Sequence, residues 1–160
     1  MKKIMKKSRK GFTLVELLIV IIILGALAAT MMLNSGNAVA NAKAGTVVTN
    51  MGNIKNAMWV YYQDNINAAT VDTFIASSDK YLGDLKLDNS TYQGAAKYYA
   101  VAKAGETNYW YVTADLNPDD PDINAIKANL GNQAKTYQLL NDTAGTQYNG
   151  TNNTIYMRAK

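Results

Sequence analysis

Neither cysteine nor histidine occurs anywhere in the 160 residues. Without cysteine, no disulfide can staple an exported domain. Without histidine, a nucleophilic serine has no imidazole base, haem has no histidine ligand, and most zinc sites are excluded. Carboxylates are present, but no spacing singles out a general acid and base, so no enzyme is expected. No nucleotide-binding pattern and no internal repeat occur. At this length the chain is enough for one domain.

The formal net charge of +4 points at first to an anionic partner such as nucleic acid. The distribution argues otherwise. Lys2, Lys3, Lys6, Lys7, Arg9 and Lys10 crowd the first ten positions. Without that leader, ten cations face twelve anions. No direct nucleic-acid partner is therefore expected. The leader cations instead orient the chain in a membrane, because Lys and Arg stay cytoplasmic and the C-terminal bulk crosses.

Directly after the cations comes a long apolar run, residues 12–33. It spans ~22 residues and ~33 Å as a helix, the thickness of a bilayer core. It opens Lys10-Gly11-Phe12-Thr13-Leu14-Val15-Glu16-Leu17-Leu18-Ile19-Val20, with one carboxylate, Glu16, inside it. A charge within hydrocarbon costs about 2.5–3.5 kcal/mol on insertion scales, so Glu16 is expected to have a partner.

Residues 9–30 resemble the class III signal of type IV pilins and of the pseudopilins of type II secretion and competence systems. Gly11, Phe12, Thr13, Leu14, Glu16 and the aliphatic run after them carry the resemblance. It implies cleavage between Gly11 and Phe12 by a prepilin peptidase, then methylation of the new Phe12 amine. It also implies that Glu16 docks a subunit into a filament by meeting a neighbour's terminal amine, with Leu14, Val15, Leu17, Leu18, Ile19 and Gly25 on the filament-core helix. The implied partners are further copies of the chain, the peptidase, an inner-membrane assembly platform with a motor ATPase, and membrane lipid before assembly. The precursor would lie in the bacterial cytoplasmic membrane and the mature form in an extracellular filament. The lack of cysteine departs from the many pilins with a disulfide near the C-terminus.

Other readings of the N-terminus exist. Ala26-Leu27-Ala28 resembles the cleavage site of an ordinary secretory signal. However, the apolar run continues past it, and a glutamate in such a signal core is unusual. A signal-anchored monomeric binding module is a further alternative, and a pseudopilin or minor pilin another. Glu16 itself has a plainer role open to it, facing the headgroups near the leader cations.

Beyond residue 33, Val47, Met51, Ile54, Met58 and Tyr61 alternate spacings of four and three, one apolar stripe of an amphipathic helix. A helix over residues 12–64 would be ~80 Å long, too long for a head this small to cover. Gly25, Gly36, Gly45 and Gly52 weaken it by about 1 kcal/mol each. The division expected is a leader at 1–11, a long helix at 12–64 and a head at 65–160.

In the head, a helical turn is predicted at residues 72–75. Strands are predicted at 97–102 and 109–114 as a hairpin, and at 135–140 and 154–158. A helix starting at Asp120-Pro121 is expected to end at Gly131. The fold class is α+β: a long N-terminal helix packed in its second half on a small antiparallel sheet. Tyr98, Tyr109, Trp110 and Tyr111 read as core and cross-strand residues. Trp59 reads as a packing residue between head and helix. Asp115, Asn117, Asp119, Asp120 and Asp122 place oxygens at near-alternate positions, as calcium loops do, without an EF-hand's glycine and terminal glutamate. Calcium is the one cofactor considered; a solvated loop and helix cap explain the same residues. Asn152-Asn153-Thr154 is a glycosylation sequon in a turn-rich segment, where an exposed loop is the default.

Overall fold

The computed structural model describes residues 11–87, 96–103 and 109–159, leaving aside the side chains of 33–35 and 97. It divides into two compact units, residues 1–36 and 37–160.

The described part of the first unit is the opening of helix α1, Leu14–Asp64. Every large apolar side chain there, from Phe12 to Met32, is at least 49% exposed. No face is preferred, as the all-round apolar sequence dictates. Among the described residues, α1 is the one helix long and apolar enough to cross a membrane.

The second unit is built on the rest of α1. The predicted stripe Val47, Met51, Ile54, Met58 and Tyr61 is buried, extended backwards by Ala40 and Ala44. Two short helices follow, α2 (Val71–Ala76) and α3 (Ser78–Leu82). Tyr61 meets Phe74 and Tyr81 edge-on at ring distances of 5.4 and 5.5 Å. Strands β1 (Ala96–Lys103), β2 (Trp110–Leu116), β3 (Leu139–Leu140) and β4 (Thr154–Arg158) form an antiparallel sheet in the order β1-β2-β4-β3. Val112 lies opposite Val101 on one side and Met157 on the other. Helix α4, Ile123–Tyr137, adds Ile126, Leu130 and Ala134 to the same core. The fold is α+β, a long N-terminal helix with a small four-stranded antiparallel sheet.

Several expectations fail. Helix α4 starts at Ile123, with Asp122 as its N-cap, rather than at Asp120-Pro121, and it does not end at Gly131 but continues to Tyr137, so residues 135–137 are helical and β3 shrinks to Leu139–Leu140. Gly131 serves packing rather than termination: a Cβ there would lie 3.2 Å from the Gly150 nitrogen and 3.3 Å from the Asn149 carbonyl carbon. The helix instead stops at Gln138, in the left-handed region at φ 55, whose N–H donates to the Ala134 carbonyl. Trp59 is half-exposed, not packed between helix and sheet. Tyr62 takes that place, its ring 6.2 Å from both Trp59 and Trp110. Of the strand aromatics, Trp110 and Tyr111 are buried, while Tyr109 is 41% exposed, with the Arg158 guanidinium 3.4 Å above its ring.

Two glycines of the second unit make opposite predictions. At Gly150, φ is +83 and a Cβ would meet the Lys127 carbonyl oxygen at 2.9 Å. Gly150→Ala is expected to destabilise residues 37–160 by about 1–3 kcal/mol. At Gly52, in mid-helix, a Cβ meets nothing within 4 Å. Gly52→Ala should stabilise the same fragment by about 0.5–1 kcal/mol. Thermal or urea melts of the two variants check both signs.

Candidate functional site

At the N-terminus, residues 11–13 lie outside the helix and are exposed. Thr13 and Glu16 then cap α1 reciprocally. The Thr13 N–H donates to Glu16 Oε2 at 2.8 Å, and the Thr13 hydroxyl donates to the same oxygen at 3.0 Å. In return the Glu16 N–H donates to Thr13 Oγ1 at 3.2 Å. The first helical bond runs from the Leu17 N–H to the Thr13 carbonyl. Each partner satisfies a group that a helix start otherwise leaves open. Sequence reasoning missed this cap although its signature, Thr-x-x-Glu ahead of an apolar run, is plain in Thr13-Leu14-Val15-Glu16. Glu16 therefore has a partner within its own chain. Its other oxygen, Oε1, accepts no hydrogen bond among the described residues.

Leu14, Val15, Leu17, Leu18 and Ile19 follow as an exposed apolar surface. A Cβ at Gly25 would meet nothing within 4 Å, so no packing among the described residues requires that glycine. Gly11 and Phe12 precede the cap, with Phe12 84% exposed.

Residues 6–32 match the family described as the prokaryotic N-terminal methylation motif. The chain carries a class III signal. That finding accords with the type IV pilin and pseudopilin family, and with a membrane-anchored precursor. Neither a curated protein nor a solved structure gave a match to the chain.

The second candidate, the acidic segment 115–122, is organised around a lysine. Lys43 Nζ, from α1, donates to Asp120 at 2.7 and 2.9 Å and to Asp122 at 2.8 Å. The Asp120 side chain is only 10% exposed. Asp115 accepts from the Thr154 hydroxyl at 3.0 Å, and Asn117 Oδ1 accepts the Asp119 N–H at 3.0 Å. Among the described residues, no three Asp, Glu, His or Cys side chains gather as metal ligands would. Four of the five side chains read as a calcium loop, those of Asp115, Asn117, Asp120 and Asp122, thus have partners within the chain, and Lys43 supplies the positive charge that Asp120 and Asp122 share. Nothing in the spacing of residues 115–122 announces a lysine some 77 positions earlier.

The pKa directions agree with an ion pair. Burial pushes the Asp120 carboxyl up, but the Lys43 ammonium and the Asp122 N–H outweigh it and leave the group below its ordinary 3.8. The bonds to Asp120 and then Asp122 raise Lys43 above 10.5. A lowered carboxyl stabilises the fold above its unfolded value and loses that contribution as pH falls through the folded one. A raised lysine stabilises below 10.5 and loses its contribution on passing the higher folded value. The clamp is thus fully formed between about pH 4 and 10. Lys43→Met in residues 37–160 is expected to lower Tm at pH 7 and to reduce the further loss of Tm below pH 4. Thermal melts across pH read both effects; an unchanged Tm at neutral pH would remove the clamp's structural role.

Proposed function

We propose that the chain is a prepilin, a structural subunit cut after Gly11, N-methylated at Phe12 and polymerised into a type IV filament. The observation that carries this reading is the exposed apolar surface of residues 12–32, which lies within the matched methylation motif. Full burial is worth about 1.5–3 kcal/mol per large apolar side chain, so that surface demands cover from outside. Lipid covers it in the precursor; the same surface of other copies covers it in the filament. The leader cations hold the N-terminus cytoplasmic until a membrane peptidase removes them. A motor ATPase on an assembly platform supplies the energy.

In the filament, Glu16 carries two tasks. Oε2 keeps the Thr13 cap, and Oε1 accepts the amine of a neighbouring Phe12. A cation made by cleavage and a carboxylate at similar depth each lower the other's desolvation cost. A priming pseudopilin shares all of these features, and abundance in sheared surface material separates the two.

The processing test is N-terminal mass spectrometry of the native product. The expected first residue is methyl-Phe12, and an intact Met1 would refute cleavage. The docking test is Glu16→Gln. Glutamine preserves a capping box but removes the charge. The variant should be processed at the normal position and should enter filaments at least roughly tenfold less, the effect of losing about 1.4 kcal/mol of pairing. Normal filaments from Glu16→Gln would show that charge is not what docks the subunit.

A further inference from the structure

We infer that Thr13 is a positioning residue for leader removal: its side chain fixes the helix start at Leu14 and so keeps the Gly11–Phe12 peptide out of the helix. This rests on the processing reading above.

A backbone segment inside a helix has its carbonyls and N–H groups engaged, and a peptidase reaches it only after local opening. Cleavage therefore favours chain that lies outside regular structure. In this chain the helix boundary falls immediately after the bond to be cut. Residues 11–13 are non-helical, and the first helical N–H to carbonyl bond reaches back only to Thr13.

The position of that boundary is not set by the apolar run. Phe12 and the aliphatic residues after it tolerate helix equally well, and the next hydroxyl toward the N-terminus that can cap a helix is Ser8. A helix begun at Ser8 would enclose the Gly11–Phe12 peptide. Two residues oppose that extension. Gly11 is a poor helix former. Thr13 accepts the Glu16 N–H on its hydroxyl oxygen and offers its own N–H to Glu16 Oε2, which closes the helix end where it stands. The oxygen that accepts the Glu16 N–H belongs to Thr13 alone. That bond survives any replacement of the Glu16 side chain, so the boundary depends chiefly on Thr13.

The test is the conversion of the full-length precursor to mature chain in the native host, followed by pulse-chase and by mass spectrometry of the N-terminus. Thr13→Val keeps the shape of the side chain and removes the oxygen; Thr13→Ser keeps the oxygen. Thr13→Val should slow conversion roughly fivefold, the shift in a local opening equilibrium that follows loss of one helix cap. Thr13→Ser should convert near the wild-type rate. Wild-type conversion of Thr13→Val, or equal slowing of the serine and valine variants, overturns the inference while leaving processing after Gly11 intact. A wild-type product that retains Met1 overturns the processing reading and this inference together.

Discussion

The rest of the molecule depends on one constraint: the apolar surface of residues 12–32 is shed by no face of its own helix. An amphipathic helix solves its burial problem within the chain, as α1 does from Ala40 to Tyr61 against α2, the sheet and α4. A helix apolar on all sides has no such solution in a chain of 160 residues. Lipid or further helices must complete it. The one helix therefore obeys two rules. Its later residues are patterned for a partner folded from the same chain, and its earlier ones are apolar on every side and exposed.

That division explains what was legible in the sequence. The stripe from Val47 to Tyr61 and strand β4 at Thr154–Arg158 were read with their observed bounds or burial, because periodicity and β-branched or aromatic content are local signals. The class III signal was legible for the same reason: its residues stand side by side. Non-local causes were not. Gly131 carries the ordinary mark of a helix end, yet the backbone of residues 149–150 crosses there and needs the missing Cβ. Trp59 and Tyr62 are both aromatic and one turn apart, and only the position of Trp110 decides which of them packs. The Lys43 clamp joins positions far apart in the chain, and nothing at either end reveals the other. The Thr13–Glu16 cap is the exception, a local pattern that the charge on Glu16 obscured.

The second unit shows the same economy in its polar groups. Asp120 is nearly buried, which disfavours its charged form, and the geometry compensates with an ammonium and a backbone N–H. Asp142 orders the loop before β4 by another route, its Oδ1 accepting the N–H groups of Ala144, Gly145 and Thr146 at 2.9–3.2 Å. A fold without cysteine thus holds two of its irregular segments by single carboxylates with several donors each, Asp120 across to α1 and Asp142 within its own loop.

The charge of Glu16 is then the feature that the chain's own fold explains least. A cap needs an acceptor at this position, and an uncharged glutamine side chain supplies one. The negative charge gains about 0.3–1 kcal/mol from the helix dipole, and charging the acceptor strengthens its bonds by about 1 kcal/mol. Against this stands an insertion cost that reaches about 2.5–3.5 kcal/mol for a charge at the centre of a membrane run and falls toward its ends, and Glu16 sits in the first turn of α1. Thr13 occupies only Oε2, which leaves Oε1 without a bond among the described residues. The docking role proposed for Glu16 would account for a carboxylate in place of an amide, because a cation meeting Oε1 at that depth needs a counter-charge that an amide does not supply.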